Sequence, residues 1–293
     1  MVEAVSRAHA FAPAATPLVL YGESGTGKTF FAGYIHQLSG RSGGFHAFSV
    51  GTVAPQLALD ELFGHVQGAY TDARKMRTGR IATAGGGTLL LDDLHTLDLG
   101  VQKQLLQVLD RGSYSPVGSD RVLTVACRVI LAMTDDPDIL MQRGQLLKDL
   151  RYRFGSCAIV MPPLRERQAE VPLLAQRALE RCPERTKVEG PTRFSDAALE
   201  CLCEGEWTGN VRELEGAVLH AYLVAAHRGA VKIGVEHFPA EMSQRLRYKR
   251  RGDRAENRVV LERALRMTGG NVTKAARLVG VSRNAFNAAR AKL

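Results

Sequence analysis

Residues 17–38 read PLVLYGESGTGKTFFAGYIHQL, and this stretch decides the fold class. PLVLY is a short apolar segment that predicts a buried strand, GESGTGKT is a glycine-rich turn, and FFAGYIHQL predicts a helix. Residues 22–29 satisfy the glycine-rich phosphate-loop pattern in full, with the strand before and the helix after that the pattern requires. The alternative, a chance glycine turn, is disfavoured because both flanks are correct. The stretch therefore predicts a nucleotide site at the end of a strand.

The residue types in this loop suit phosphate binding. Glycines let backbone N–H groups surround phosphate oxygens, and the helix N-terminus adds the positive end of its dipole. We expect Lys28 to reach the β- and γ-phosphates and the Thr29 hydroxyl to bind Mg²⁺. The expected ATP-binding residues are Gly22, Glu23, Ser24, Gly25, Thr26, Gly27, Lys28 and Thr29.

Two further apolar segments predict buried strands. TLLLDD (88–93) ends in two carboxylates, and CRVILAMT (127–134) follows the amphipathic helix VQKQLLQVLDRG. Strands that alternate with helices predict an α/β fold with a parallel sheet between helices. Since a nucleotide site of this type needs a carboxylate on a neighbouring strand, we expect Asp92 to hold Mg²⁺ together with Thr29, and Asp93 to act as base for the attacking water. The alternative is a strand that merely ends in acidic turn residues.

The chain reads as helical after MPPLRER (161–167). VPLLAQRALERC, SDAALECLCEG and NVRELEGAVLHAYLVAAH predict three helices, the last with Asn210 as its cap, and SQRLRYKRRGDR (243–254) predicts a linker. No apolar run approaches the roughly 18 residues of a membrane span, and the five cysteines lack zinc-type spacing. We therefore expect reduced thiols, no membrane partner and a cytoplasmic location.

The charge of the chain is concentrated at its C-terminal end. Residues 241–293 contain 14 Lys and Arg against 4 Asp and Glu, while the whole chain of 293 residues carries a formal charge of +9. Residues 1–240 are therefore nearly neutral. A neutral body with a basic tail is typical of a protein that carries a nucleic-acid reader. A basic linker that only aids solubility remains the alternative.

Several motifs together resemble one family. GESGTGKT, ELFGHVQGAYTDA, GGGTLLLDDL, LRYRF, PPLRER and WTGNVREL occur in the order seen in the central AAA+ domain of bacterial enhancer-binding proteins. TGGNVTKAARLVGVSR resembles their C-terminal Fis-type helix-turn-helix. The resemblance covers nearly the whole chain and implies an ATPase that remodels sigma-54 RNA polymerase from enhancer-like DNA. A DNA-processing AAA+ ATPase, such as a helicase loader, is an alternative that these motifs disfavour.

The resemblance implies four regions: an AAA+ α/β subdomain (1–168), an all-α lid (169–242), a basic linker (243–255) and a Fis-type helix-turn-helix domain (256–293). It also implies a homo-oligomer, from a dimer to a hexameric ring. The family's AAA+ domain begins some twenty residues earlier, and no receiver domain precedes it here. We therefore expect regulation to come from a partner, from the expression level or from a missing segment.

The loop GAYTDA corresponds to the loop through which the family contacts sigma-54, usually GAFTGA. Tyr70 keeps a flat ring, whereas Asp72 adds a negative charge where the family has glycine. A loop that no longer engages sigma-54 is the alternative. The expected contact residues are Gly68, Ala69, Tyr70, Thr71, Asp72 and Ala73.

The hydrolysis machinery departs from the family pattern at several positions. Asp93 replaces a glutamate, Ser49 and Asp135 replace asparagines, and Leu147 replaces the first of two arginines that act in trans. By the same resemblance, Arg153 corresponds to the second of these arginines and Arg212 to the arginine of the lid that senses bound nucleotide. These departures leave open a nucleotide- and DNA-binding regulator with weak or lost ATPase activity. The expected catalytic residues are Asp93, Arg153, Arg212, Asp135 and Ser49.

The C-terminal segment NVTKAARLVGVSRNAFNAARAKL predicts two helices with a turn at Gly280. The second helix would open at Ser282, and its N-terminal end would meet DNA. Arg283 could instead contact phosphate without base readout. The expected apolar positions are Ala275, Ala276, Leu278, Val281 and Phe286. The expected DNA-contacting residues are Lys274, Ser282, Arg283, Asn284, Asn287 and Arg290.

Overall fold

The computed structural model describes residues 1–54, 57–70, 73–154, 157–239, 265–266, 268 and 271–279. The chain divides into two compact units. The first consists of Met1–Glu170 with Glu206–Leu214, and the second of Val171–Gly205 with the chain from Glu215 onward. The segment Glu206–Leu214, which falls within the expected lid, thus belongs to the first unit.

The first unit is built on a five-stranded parallel sheet. Its strand order is β2 (Phe45–Ser49), β5 (Thr88–Asp92), β8 (Arg128–Met133), β1 (Leu18–Tyr21) and β9 (Ala158–Val160), and every neighbouring pair is parallel. The central strands are buried on both faces, as expected where helices cover both sides. The strands of the unit are β1 (Leu18–Tyr21), β2 (Phe45–Ser49), β3 (Gly64–His65), β4 (Arg77–Thr78), β5 (Thr88–Asp92), β6 (Ser113–Tyr114), β7 (Leu123–Thr124), β8 (Arg128–Met133) and β9 (Ala158–Val160).

Alternating side chains of the sheet enter two cores, because successive strand residues point to opposite faces. Leu18 and Leu20 pack on one face with the helices at 2–11 and 28–38, whereas Val19 packs on the other face with the helices at 58–63, 99–111 and 148–154. The helices that begin in this part of the chain are α1 (Val2–Phe11), α2 (Lys28–Leu38), α3 (Ala58–Phe63), α4 (Arg80–Thr83), α5 (Leu99–Arg111), α6 (Pro137–Gln142) and α7 (Lys148–Phe154). The predicted strands 17–21, 88–93 and 127–134, and the helices after the first two, are confirmed.

Two short antiparallel hairpins lie outside the sheet. In the first, β3 pairs with β4, and this hairpin carries the 68–73 loop. In the second, β6 pairs with β7. The backbones of the two hairpins meet, since the N–H of Val66 donates to the carbonyl of Val117 over 3.1 Å and the N–H of Val117 to that of Gly64 over 2.8 Å.

The described residues of the second unit are mainly helical, as the sequence predicts. Ser195 caps α10 by accepting a hydrogen bond from the N–H of Ala198 over 3.2 Å. In the described ranges no helix has the length and apolar character needed to cross a membrane. The α-helices with described bounds are α8 (Val171–Glu180), α9 (Cys182–Thr186), α10 (Asp196–Cys203), α11 (Asn210–His227), which starts in the first unit, and α12 (Val272–Val279).

Candidate nucleotide site and partner-contact loop

The register of the parallel strands brings the expected site residues to one edge of the sheet. Ser49 lies opposite Asp92 in the β2–β5 pair, and Tyr21 lies opposite Met133 in the β1–β8 pair. The phosphate loop and Asp93 directly follow two of these strand ends, and Asp135 comes two residues after Met133. Open parallel sheets bind ligands at this carboxyl edge.

The phosphate loop runs from the end of β1 to the start of α2. Gly25 and Gly27 adopt positive φ angles of +78° and +96°, which favour glycine. The ammonium of Lys28 donates to the carbonyls of Gly22, over 2.7 Å, and of Glu23, over 3.2 Å. Burial lowers the pKa of Lys28, and the carboxylates of Asp92 and Asp93 oppose that shift. Lys28 is therefore held inside the loop it is expected to serve.

The oxygen groups expected to hold magnesium are in contact. The Thr29 hydroxyl donates to a carboxylate oxygen of Asp92 over 3.1 Å, and the N–H of Asp93 donates to the other oxygen over 3.0 Å. In the described part of the chain, no cluster of three His, Cys, Asp or Glu side chains forms a closed metal cage. Mg²⁺ is usually bound through one or two protein oxygens together with substrate phosphates, so this pair fits it.

The residues expected in hydrolysis are only partly brought together. The Ser49 hydroxyl donates to Asp93 over 3.5 Å, so these two side chains meet at the edge. Asp135 is paired with Arg143, which donates to its carboxylate over 3.1 Å. Leu147 packs against the core of the first unit. Arg153 forms an ion pair with Asp110 at the end of α5, and thus its contacts lie away from the phosphate loop.

Arg212 does reach the phosphate loop. Its guanidinium donates to the Ser24 hydroxyl over 2.9 Å. The loop is also held by two arginines that the sequence did not single out. Arg165 makes two hydrogen bonds to the Glu23 carboxylate, at 2.6 and 2.8 Å, and Arg167 donates to the Thr26 carbonyl over 2.7 Å. Both belong to the PPLRER motif, whose presence was the only sequence signal for them.

Asn210 also contacts the phosphate loop, and its expected role as a helix cap is wrong. Its amide nitrogen donates to the Ser24 carbonyl over 3.0 Å and to the Glu23 carboxylate over 3.1 Å. Its amide oxygen accepts from the N–H of Leu164 over 2.7 Å, so that oxygen is engaged outside the helix. The hydrogen bonds from Arg165 and Asn210 hold the pKa of Glu23 below its ordinary value.

The 68–73 loop is closed by its own backbone. The N–H of Gly68 donates to the carbonyl of Ala73 over 2.8 Å, and the N–H of Ala73 donates to that of Tyr70 over 2.9 Å. The Tyr70 side chain is 43% exposed, and its ring meets the His65 ring edge-on at 5.1 Å. Ala73 is buried, whereas Thr71 and Asp72 lie outside the described residues.

A short polar chain lies beneath Tyr70. The buried His65 ring pairs with Asp60 through Nδ1, and its Nε2 lies 2.7 Å from the carbonyl of Lys75. Arg77 also donates to Asp60, over 3.2 Å. The base of the loop is thus anchored by polar contacts between its hairpin and the neighbouring helix α3.

The first of the two helices predicted for residues 271–293 is confirmed as α12. Lys274 is exposed near its start, and its N–H donates to the Asn271 side chain over 3.1 Å. Ala275 and Ala276 are buried against Leu265 and Val272, as their expected apolar role requires. The other expected DNA-contacting residues, Ser282, Arg283, Asn284, Asn287 and Arg290, lie outside the described residues.

Three family models match consecutive parts of the chain. Residues 1–160 match the Sigma-54 interaction domain, residues 165–255 the AAA+ ATPase lid domain, and residues 255–293 the bacterial regulatory protein Fis family. The expected AAA+ P-loop fold with a helical lid and a Fis-type domain is thereby confirmed.

Curated relatives agree with these matches. The chain is 35% identical over 281 residues to the transcriptional regulatory protein ZraR of Escherichia coli (strain K12), which covers 93% of this chain and 62% of ZraR. It is 38% identical over 219 residues to the Nif-specific regulatory protein of Rhizobium meliloti (strain 1021), covering 74% of this chain and 40% of that protein. The chain thus spans between two fifths and two thirds of the length of these relatives.

A solved structure shares the fold. The structure of NtrX from Brucella abortus matches with a TM-score of 0.75 at 23% identity, over 98% of this chain and 66% of that one. Because the sigma-54 interaction model alone covers more than half of the sequence, the chain belongs to the Sigma-54 interaction domain family.

Proposed function

We propose that this chain is a sigma-54-dependent transcription regulator that binds DNA and ATP and couples ATP hydrolysis to the remodelling of sigma-54 RNA polymerase. The observation that carries the proposal is the meeting of Lys28, Thr29 and Asp92 at the carboxyl edge of the sheet. These three groups supply the charge and the oxygen ligands that a nucleoside triphosphate with Mg²⁺ requires.

At this edge different groups of the chain have different roles in binding and hydrolysing the nucleotide. Backbone N–H groups of residues 22–27 and the Lys28 ammonium bind phosphate, and Thr29 and Asp92 would hold Mg²⁺, which neutralises phosphate charge when bound. Asp93 orients the attacking water and accepts its proton, while Ser49 holds one oxygen of that carboxylate. Arg212, in contact with Ser24, senses the bound nucleotide.

Arg153 acts on the nucleotide of a neighbouring copy, so the working form is a homo-oligomer, from a dimer to a hexameric ring. Its support is the placement of Arg153 beside Asp110 and Leu109, with no contact to the phosphate loop of its own chain among the described residues. An arginine supplied in trans stabilises charge that develops in the transition state.

Two parts of the chain would bind the partners. The exposed Tyr70 ring contacts sigma-54, and the basic segment 241–293 holds the chain on upstream DNA. Removing residues 241–293 should abolish specific DNA binding. In the intact chain the affinity should fall steeply with salt, since each neutralised phosphate releases counterions. Unchanged DNA affinity after the deletion would show that residues 241–293 are not the DNA-binding segment.

A second function is favoured by the hydrolysis residues: a nucleotide- and DNA-binding regulator with weak or lost ATPase activity. Asp135 places a carboxylate where the family has an amide, and that carboxylate accepts a hydrogen bond from Arg143. The Ser49–Asp93 contact, at 3.5 Å, is at the limit of a hydrogen bond. Leu147 supplies no charge to a neighbouring site.

Steady-state ATP hydrolysis by the full chain, measured over a range of protein concentrations, separates the two functions. For the first, turnover per chain should rise with concentration, and Arg153→Ala should lower it about a thousandfold. Arg151→Ala is the matched control, because Arg151 lies two residues away in α7 and is bound to Asp138. Tight ATP binding without turnover, partly restored by Asp93→Glu, would instead select the second function.

A further inference from the structure

Three successive residues at the start of α11 each bond to the phosphate loop. The side chain of Asn210 donates to the Ser24 carbonyl over 3.0 Å, and the N–H of Val211 donates to the Gly25 carbonyl over 2.9 Å. The Arg212 guanidinium donates to the Ser24 hydroxyl over 2.9 Å. All of these residues belong to the first unit. The segment that carries Arg212 is thus attached to the loop at three consecutive points.

The two backbones also approach closely. A Cβ atom added at Gly25 would lie 2.3 Å from the Gly209 carbonyl oxygen, so a side chain there would push the segments apart. Because the atom that such a side chain would meet belongs to the backbone, one of the two segments would have to shift. The geometry of the phosphate loop and the placement of Arg212 therefore depend on each other.

The side chain of Asn210 is committed to this junction and not to its own helix. It is fully buried, and both ends of its amide are used: the oxygen by Leu164 and the nitrogen by Ser24 and Glu23. The helix start is served by other groups, since Glu213 accepts from the N–H of Gly209 over 2.7 Å and Gly25 accepts from Val211.

The backbone conformation at position 210 does not by itself explain why the residue there is asparagine. Its φ is +56°, a conformation that glycine adopts without strain and that aspartate also tolerates. Glycine would therefore satisfy the backbone but leave Ser24, Glu23 and Leu164 without the amide. The requirement for asparagine comes from the side-chain contacts.

Glu23 extends the junction to a second segment. Its carboxylate accepts from Asn210 and is held by two bonds from Arg165, which follows Leu164 in the chain. One amide and one carboxylate thus connect three segments: the phosphate loop, residues 164–165 and the start of α11.

We infer that Asn210 is a positioning residue of the nucleotide site, which holds the phosphate loop and Arg212 in one fixed arrangement. The inference rests on the proposed nucleotide binding and adds a residue that acts on it without touching the nucleotide. Asn210 and Arg212 should then act as a unit, since both hold Ser24.

The test uses the full chain and compares Asn210→Gly, which keeps the backbone, with Asn210→Asp, which keeps the size and the acceptor but loses the donor. Ser195→Ala is the matched control, because it also removes a side-chain hydrogen bond at a helix start, in the second unit. Binding of MgADP and MgATP is followed by the fluorescence of Trp207, the chain's one tryptophan, which is buried and whose carbonyl accepts from the N–H of Asn210. Amide exchange of Leu164 and Val211 is measured without nucleotide.

We expect both Asn210 variants to bind nucleotide at least about tenfold more weakly, as the loss of buried hydrogen bonds implies. In Asn210→Gly the amides of Leu164 and Val211 should exchange faster, while Ser195→Ala changes neither property. Asn210→Gly combined with Arg212→Ala should lose less affinity than the product of the single losses. Independent losses would contradict joint positioning.

The inference is overturned if Asn210→Gly binds MgADP within twofold of the parent chain and its Leu164 amide exchanges at the parent rate. Asn210→Asp decides the question if the glycine variant does not fold. If the parent chain binds no nucleotide, the proposed function fails. In that case faster exchange in Asn210→Gly still supports the positioning role, and unchanged exchange overturns it.

Discussion

The phosphate loop and the 68–73 loop lie in the same unit but are held in different ways. The phosphate loop receives side-chain bonds from Arg165, Arg167, Asn210 and Arg212, all more than 130 positions away in the chain. The 68–73 loop is closed by bonds between its own residues, and its one described aromatic ring rests on His65.

This difference matches two kinds of work. The proposed nucleotide site gains from groups that are already in position, because ordering them at each binding event would cost affinity. The 68–73 loop is proposed to engage a partner, and a loop that is held mainly by bonds between its own residues can move without disturbing the core. The following predictions test this comparison.

The largest effect is expected at the centre of the phosphate loop. Lys28→Ala should weaken nucleotide binding at least about a hundredfold, since charge-assisted bonds to phosphate contribute about 1.5–3 kcal/mol each. Isothermal titration calorimetry with MgATP measures the affinity of the parent chain and of the variant. Lys148→Ala, which removes a lysine from α7, is the control. Retained affinity in Lys28→Ala would show that the loop is not the phosphate site.

Tyr70→Ala should impair the proposed contact with sigma-54 and leave the nucleotide site unaffected. Promoter opening should fall roughly thirtyfold, the effect of about 2 kcal/mol expected from a central aromatic contact, while ATP turnover changes little. Tyr70→Phe keeps the ring and should retain most of the activity. A parallel loss of turnover in Tyr70→Ala would mean that this loop supports the nucleotide site, contrary to the comparison.

His65→Ala should reduce stability near the 68–73 loop. The carboxylate of Asp60 and the carbonyl of Lys75 would lose a buried partner, which costs about 1–3 kcal/mol. Urea unfolding measures the loss, and His220→Ala, at an exposed position of α11, should be neutral. Nucleotide affinity should stay at the parent value, and a marked decrease would connect the two loops.

Glu23→Gln should give the smallest effect, and one that depends on pH. Because Arg165 and Asn210 lower the folded-state pKa of Glu23, its carboxylate stabilises the fold fully above the unfolded-state pKa and loses that contribution as pH falls through the lowered value. The urea midpoints of parent and variant should therefore differ at pH 7 and converge in acid. The pair is half-exposed, so solvent screening keeps the difference small. Glu3→Gln, in an exposed surface pair, should show no difference at either pH.

The ordered elements were predictable because their signals are local. The strand at 88–92 is a continuous apolar run, the helix at 99–111 has one apolar face and ends at Gly112, which adopts a positive φ of +64°, and the glycines of 22–27 match a fixed pattern. The role of Asn210 was not predictable. Asparagine before a helical segment usually caps it, and only the folded chain places Ser24 and Leu164 beside its amide.

The sequence by itself determined the fold class and the candidate nucleotide-site residues, because apolar strand segments, glycine spacing and the order of Lys28, Thr29 and Asp92 are properties of short segments. Only the tertiary structure decided how that site is held. The parallel register aligns Ser49 with Asp92, and chain folding brings Asn210 and Arg165 to Glu23. Such contacts join residues that are distant along the chain, and their partners depend on packing geometry that no local pattern encodes.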